Sequence, residues 1–245
     1  MRNIFPRWVN TVPIKLIIAL GMTGGVVVAG ITYYATPKYT RVGYQPTQPV
    51  SYDHEFHAGQ LGLDCRYCHH SVDKSASAGI PSANVCMSCH KTIKANSPLL
   101  EPVRASYYGE DTDRDGNLSD NEDVNGDGIL NRPSIPWLRI HKTPDYVYFN
   151  HAIHVNRGVS CVECHGRIDQ MEEVYHSKSL SMAFCLECHR KPHDALRPMS
   201  EVTNLSWVHP AAPNDESSSA NPHADLGIKD KWGVHPPLSC TGCHR

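Results

Sequence analysis

Every cysteine in this sequence belongs to a Cys-x-x-Cys pair, and a histidine follows the second cysteine of each pair: CRYCH, CMSCH, CVECH, CLECH and CTGCH. This is the attachment signal for haem c. Cysteines three residues apart lie on one face of a helical turn, so both can bond one porphyrin while the next histidine binds its iron. The sequence therefore predicts five covalently bound haems c. The attachment residues are Cys65, Cys68, Cys86, Cys89, Cys161, Cys164, Cys185, Cys188, Cys240 and Cys243, and the proximal iron ligands are His69, His90, His165, His189 and His244.

Zinc and disulfide bonds are the alternative uses of so many cysteines. A structural zinc site needs four ligands from paired Cys-x-x-Cys units or a His-x₃₋₅-His partner. The close histidine pairs here, His54/His57 and His151/His154, have only two residues between them. Neither alternative explains a histidine after all five cysteine pairs, so the pattern favours haem.

Histidines outside the motifs are candidates for the second axial position that the proximal histidine leaves on each iron. His54 and His57 project from one side of a helical turn, but an iron that already holds a proximal histidine has room for only one of them. We therefore expect the pair to serve two haems, and the same holds for His151 and His154. A methionine ligand would raise the potential of its haem. The distal candidates are His54, His57, His70, His151, His154, His176, His209, His235 and Met182.

The N-terminal segment 1–35 is predicted to be a transmembrane anchor. Leu16–Ala35 carries no charge and is long enough to cross a bilayer as a helix. Arg2, Arg7 and Lys15 precede it, which favours a cytoplasmic N-terminus. Because no A-x-A-like cleavage site follows, an uncleaved anchor is favoured over a removed signal peptide. The haem motifs are then expected on the periplasmic side of a bacterial inner membrane.

Beyond the anchor, residues 36–51 read as a proline-rich tether and 52–245 as a periplasmic domain. SYDHEFHAGQLGLDCRYCHH and YFNHAIHVNRGVSCVECHG share one order of aromatic, His-x-x-His, spacer and haem motif, and each precedes a second motif. This predicts two di-haem repeats, 50–91 and 147–191, followed by a single-haem segment 192–245. Aromatic residues make up only 8% of the chain, so porphyrins would supply apolar surface. We expect short helices and irregular loops wrapped around five haems, with little sheet.

An acidic insertion, 107–134, separates the repeats. Its DTDRDGNLSDNE run matches an EF-hand calcium loop, although no clear amphipathic helix follows it. Structural calcium and a solvated acidic loop both remain open. The candidate calcium ligands are Asp111, Asp113, Asp115, Asn117, Ser119 and Glu122. The formal net charge of −2 gives no indication of nucleic-acid binding.

The paired HxxH segments, together with adjacent His69 and His70, resemble the cytochrome c3 family of multihaem proteins. The resemblance implies that the first histidine of each pair caps the haem that follows it, and that the histidine after a motif caps the next haem. It assigns His54 to His69, His70 to His90 and His151 to His165, and leaves His57 and His154 as cross-ligands. In the second repeat, the position equivalent to His70 is occupied by Gly166. Candidates for the fourth haem are then His176, Met182, His154 and His57, and for the fifth His235 and His209.

The anchor, the motif count and the SLSMAFCLECHR segment resemble the pentahaem subunit of bacterial alternative complex III, a quinol-oxidising complex. The resemblance implies an electron-transfer subunit without its own substrate site. Its partners would be quinol-binding membrane subunits, an iron–sulfur subunit and a monohaem cytochrome c, with a periplasmic carrier or oxidase as acceptor. The alternatives are a tetrahaem-type membrane quinol dehydrogenase that feeds a periplasmic reductase and a multihaem reductase enzyme.

Overall fold

The computed structural model describes residues 6–35, 40–109, 132–208 and 227–244. The chain divides into two compact units, Met1–Val42 and Gly43–Arg245. The candidate calcium ligands and His209 lie outside the described residues. The calcium site therefore stays a prediction.

The first unit contains a short 3-10 helix, Arg7–Thr11, and helix α1, Val12–Ala35. The continuous helical segment Arg7–Tyr34 has a mean hydropathy of 2.1 in its most apolar window, and none of that window is buried. Among the described residues it is the one helix long and apolar enough to cross a membrane. This agrees with an anchor, although a signal sequence has the same length and composition.

The second unit is built from short helices joined by loops, which confirms the expected helix-and-loop fold. Within its described residues, β-structure is limited to isolated bridges between Val147 and His244 and between Val159 and Leu196. The α-helices are α2 Cys65–Cys68, α3 Ala83–His90, α4 Glu101–Tyr108, α5 His151–Val155, α6 Cys161–His165, α7 Met182–Arg190, α8 Ile228–Lys231 and α9 Cys240–Cys243. A π-helix spans Glu55–Gln60, and 3-10 turns span Pro98–Leu100, Ile168–Gln170, Pro192–Asp194 and Met199–Glu201.

Each cysteine pair lies on one of these helices, and a side chain caps the first turn of two of the five. Asp64 caps α2 by accepting a hydrogen bond from the backbone N–H of Arg66. Ser181 caps α7 in the same way, through the N–H of Phe184. Such caps satisfy backbone donors that the first helical turn leaves unpaired. A helical turn places the two sulfurs of a motif on one face, as attachment to a single porphyrin requires.

Apolar side chains form two small buried clusters in the second unit. One consists of Val50, Ala83, Met87 and Val103 and packs α3 against α4. The other consists of Leu196, Ile228 and Val234. Val50, at 5% exposure, brings the end of the predicted tether into the first cluster. Residues 43–51 therefore belong to the second unit, because burying Val50 removes apolar surface from water.

The two sequence repeats, 50–91 and 147–191, contact each other in a reciprocal way. The loop after the first motif accepts hydrogen bonds from the start of α5: Ala76 O from His151 N and Ser75 O from Ala152 N, both 3.1 Å long. In the opposite direction, Met171 O, after the third motif, accepts a 3.1 Å bond from the N–H of Glu55. Each repeat thus holds the histidine-bearing segment of the other.

Replacing Gly59 with alanine tests this reciprocal contact. A Cβ at Gly59 would overlap the backbone oxygen of Asp169, so the backbone of one repeat must move. We expect a loss of about 1–3 kcal/mol in the free energy of unfolding, the usual range for overpacking. Gln60→Ala is the control, because Gln60 is exposed. Thermal unfolding of both variants measures the effect, and equal midpoints would contradict the contact.

Candidate haem-binding sites

Two histidine-bearing segments, one in each repeat, have the same local structure. Asp53 accepts a hydrogen bond from the N–H of Phe56 at 2.9 Å, and Asn150, at the equivalent position, accepts one from Ile153 at 3.3 Å. These side chains start the helical turns that carry His54/His57 and His151/His154. The turn is a π-helix in the first repeat and α5 in the second, and π-turns frequently occur at functional sites.

An aromatic residue in each segment fixes the orientation of both imidazoles. Tyr52 stacks on His57 at a centroid distance of 4.5 Å and meets His54 edge-on at 4.6 Å. Phe149 does the same in the second repeat, with His154 and His151 both at 4.7 Å. Each aromatic ring therefore holds two imidazoles about perpendicular to one another, so the two rings of a pair face different directions.

Among the described residues, at least six histidine side chains place Nδ1 within hydrogen-bond distance of a backbone carbonyl oxygen. A ligating imidazole usually donates its second ring N–H to such an acceptor, which fixes the tautomer and directs the other nitrogen to the metal. Three of the six are proximal residues of the motifs and three come from the HxxH segments. The pairs are His57 with Asp53 O, His69 with Gly79 O, His90 with Ile93 O, His151 with Ala76 O, His154 with Asn150 O and His189 with Pro237 O, at 2.7–2.8 Å.

Three of these imidazoles face a motif histidine at one common distance. The ring centroids of His57 and His90 lie 6.3 Å apart, as do those of His151 and His165 and those of His154 and His189. Two imidazoles bound to opposite sides of one metal, with metal–nitrogen bonds of about 2.0 Å, have centroids about 6.2 Å apart. The residues present therefore fit a six-coordinate haem iron at the second, third and fourth motifs.

His54 lies close to His69 of the first motif. Burial, with the nearby imidazoles of His69 and His57, lowers the pKa of His54 to about 4. Burial and the neighbouring His141 lower the pKa of His165 to about 3. An imidazole must be neutral to bind a metal, and both environments favour that form at neutral pH.

The structure distinguishes between the distal ligands that the sequence predicts for the second and fourth haems. The ring of His57 lies 6.3 Å from that of His90, whereas His70 is exposed. His154, one of four candidates for the fourth motif, faces His189. Met182, another candidate, is 61% exposed at the start of α7. The assignments themselves stay predictions.

His176, also a candidate for the fourth haem, lies near the third motif instead. It is 1% exposed, and its ring stacks on His141 at 5.1 Å. His141 in turn meets His165 edge-on at 4.3 Å. The sequence offered no signal for His141, which stands alone in an irregular loop outside any histidine pair.

The fifth motif lies beside the segment that leads into α5. The ring of Tyr146 stacks on His244 at 5.7 Å, and Tyr148 N donates a 2.7 Å hydrogen bond to Cys243 O. His235, a sequence candidate for this haem, is exposed. The other candidate, His209, is outside the described residues, so the sixth ligand of the fifth haem remains open.

The part of the chain that contains the first two motifs and their HxxH segment is similar to a known family. Residues 33–107 match the class III cytochrome c family. The class III cytochrome c region includes His54, His57, His70 and both motifs of the first repeat. It agrees with the cytochrome c3 resemblance and implies covalently bound haem c. The second repeat lies outside the matched residues but has the same aromatic and HxxH geometry.

A curated relative is a subunit of a menaquinone reductase. The menaquinone reductase multihaem cytochrome c subunit of Nitratidesulfovibrio vulgaris is 26% identical to this chain over 121 residues. The alignment covers 49% of this chain and 47% of that protein, so the chain spans about half the length of the relative that it matches. Over these 121 residues the chain is thus similar to a multihaem cytochrome c, and residues 33–107 are similar to the class III cytochrome c family.

Proposed function

We propose that this chain relays electrons as a pentahaem c-type subunit of a quinone-linked membrane complex. The observation that carries the proposal is the set of HxxH imidazoles anchored through Nδ1 at 6.3 Å from motif histidines. Haem supplies one-electron chemistry when bound. The protein contributes cysteines for attachment, proximal histidines and oriented distal histidines. Distal coordination of this kind favours electron transfer, because an iron with both axial positions filled has no site for substrate.

In this proposal each HxxH pair supplies the distal iron ligands of the two haems in its own repeat. His54 serves the first motif and His57 the second, while His151 serves the third and His154 the fourth. The arrangement is the same in both repeats, and it follows from the aromatic residue that turns the two imidazoles apart. It replaces the family-based pairing of His70 with His90.

We consider two kinds of complex, which differ in the direction of electron flow. The anchor and the motif count support a subunit of alternative complex III type, in which quinol is the donor and a periplasmic carrier or oxidase the acceptor. The partners would be quinol-binding membrane subunits, an iron–sulfur subunit and a monohaem cytochrome c. The relative from N. vulgaris supports a menaquinone reductase type instead. In both cases the apolar helix anchors a periplasmic haem domain at the inner membrane.

Purification in mild detergent with a C-terminal tag would test the proposal. We expect quinone-binding membrane subunits to co-purify with the haem protein. Anaerobic addition of a quinol should reduce the haems if the complex oxidises quinol. Addition of menaquinone to the reduced complex should oxidise them if it reduces quinone. Isolation of the chain alone, with a high-spin haem that binds nitrite, would instead support the reductase enzyme and overturn the proposal.

A further inference from the structure

Direct contacts connect the first motif to the second. Tyr67, between the cysteines of the first motif, places its hydroxyl 3.0 Å from the hydroxyl of Ser88, between the cysteines of the second. Cys68 and Cys86 are also near enough to influence each other electrostatically. Since both bonded residues are internal to their motifs, the two attachment helices α2 and α3 are immediate neighbours.

The first motif also contacts the third, which is distant in sequence. The thiols of Cys65 and Cys161 lie close enough to influence each other electrostatically. The residues that precede these cysteines bond to two adjacent residues of the C-terminal segment. Asp64 accepts a 2.8 Å hydrogen bond from Thr203, and Ser160 donates a 2.7 Å bond to Val202 O. The two repeats therefore meet through their first motifs, in line with the reciprocal backbone contacts.

The fourth motif has contacts with both the third and the fifth. The imidazoles of His151 and His154, three residues apart on α5, face His165 of the third motif and His189 of the fourth. His189 of the fourth motif places Nδ1 2.8 Å from Pro237 O, three residues before the fifth motif. Cys185 is also within electrostatic range of Cys243. These contacts put the fourth motif between the third and the fifth.

We infer that the five haem sites are ordered in space as second, first, third, fourth, fifth, which differs from their order in the sequence. The first and third sites form a central junction between the repeats, and the second and fifth sites are the two ends of the series. The inference rests on the proposed function in one respect, because it requires haem at all five motifs. Exchange with partners is then expected at the second and fifth sites.

A pair of methionine variants tests this order. His54→Met and His57→Met should each raise the potential of one haem, because methionine ligation raises it relative to two histidines. At an intermediate potential that haem alone is reduced, and low-spin ferrous iron is diamagnetic. Its ferric neighbours then lose a magnetic partner, which changes their electron paramagnetic resonance signals and relaxation rates.

The two variants have opposite expected results. Reduction at the first site, in His54→Met, should change the signals of two other haems, and reduction at the second site, in His57→Met, should change only one. An order that follows the sequence requires the reverse and would overturn the inference. His154→Met is the control, because the fourth site has two neighbours in both orders.

A separate measurement on the wild-type chain tests the order if methionine does not bind the iron in these variants. Iron–iron distances in a structure of the haem-loaded wild-type chain should be shorter between the first and third sites than between the second and third. The opposite inequality contradicts the inferred order. Haem content is measured first: fewer than five haems per chain would show that the proposed function fails, whatever the order of the sites.

Discussion

Replacing His57 with alanine should convert one haem to a high-spin form, whereas replacing His70 should convert none. The reason is the position of the His57 ring, stacked on Tyr52 at 4.5 Å and 6.3 Å from His90. Removing the imidazole takes away the sixth ligand of one iron. With five attachment motifs, about one fifth of the iron should change spin state, which absorption and electron paramagnetic resonance spectra measure.

The same experiment in the second repeat identifies a different haem. His154→Ala should give a high-spin haem at the fourth motif and His151→Ala one at the third, because their rings face His189 and His165. His70→Ala and His235→Ala serve as controls with exposed side chains. A high-spin signal in His70→Ala, with His57→Ala unchanged, would restore the family-based pairing and contradict the geometry.

A Cys161→Ser, Cys164→Ser double variant should cause the largest loss of electron transfer. It removes the attachment of the third haem, next to the point where Asp64 of the first repeat and Ser160 of the second bond the adjacent residues Thr203 and Val202. We expect an intact mass lower by one haem. After addition of quinol to the complex, at most two of the four remaining haems, about half, should be reduced, because the central junction is interrupted.

Removal of a terminal haem provides the matched comparison. The Cys86→Ser, Cys89→Ser variant and the Cys240→Ser, Cys243→Ser variant each lose one haem but keep the remaining four sites contiguous. At least one of them should retain quinol-driven reduction of all its haems. Full reduction of the central variant at the wild-type rate would show that the third motif is not part of the route.

The sequence was sufficient to predict the features that depend on local spacing. The five Cys-x-x-Cys-His motifs, the two HxxH pairs and the apolar N-terminal segment are all recognised within a few residues of chain. The helical turns that carry the cysteines also follow locally, since residues such as Asp64 and Ser181 cap them. Short helices with little sheet are expected for a chain in which aromatic residues make up only 8% and porphyrins would supply apolar surface.

Features that depend on long-range packing could not be predicted in this way. His154 and His189 are 35 positions apart, and no local pattern distinguishes His154 from His176 as a partner for the fourth motif. His141 acquires its place beside His165 only through folding. The proximity of Cys65 to Cys161 likewise arises from the reciprocal packing of the two repeats, and the inferred spatial order of the motifs depends on that packing.

The intact mass and metal content of the membrane-extracted chain test the central claim most directly. The account predicts a mass equal to the polypeptide plus five covalently attached haems, with five iron atoms per chain. The same preparation should show low-spin spectra for the second, third and fourth sites. A polypeptide mass without haem, with zinc in place of iron or with disulfide-linked cysteines, would contradict the account.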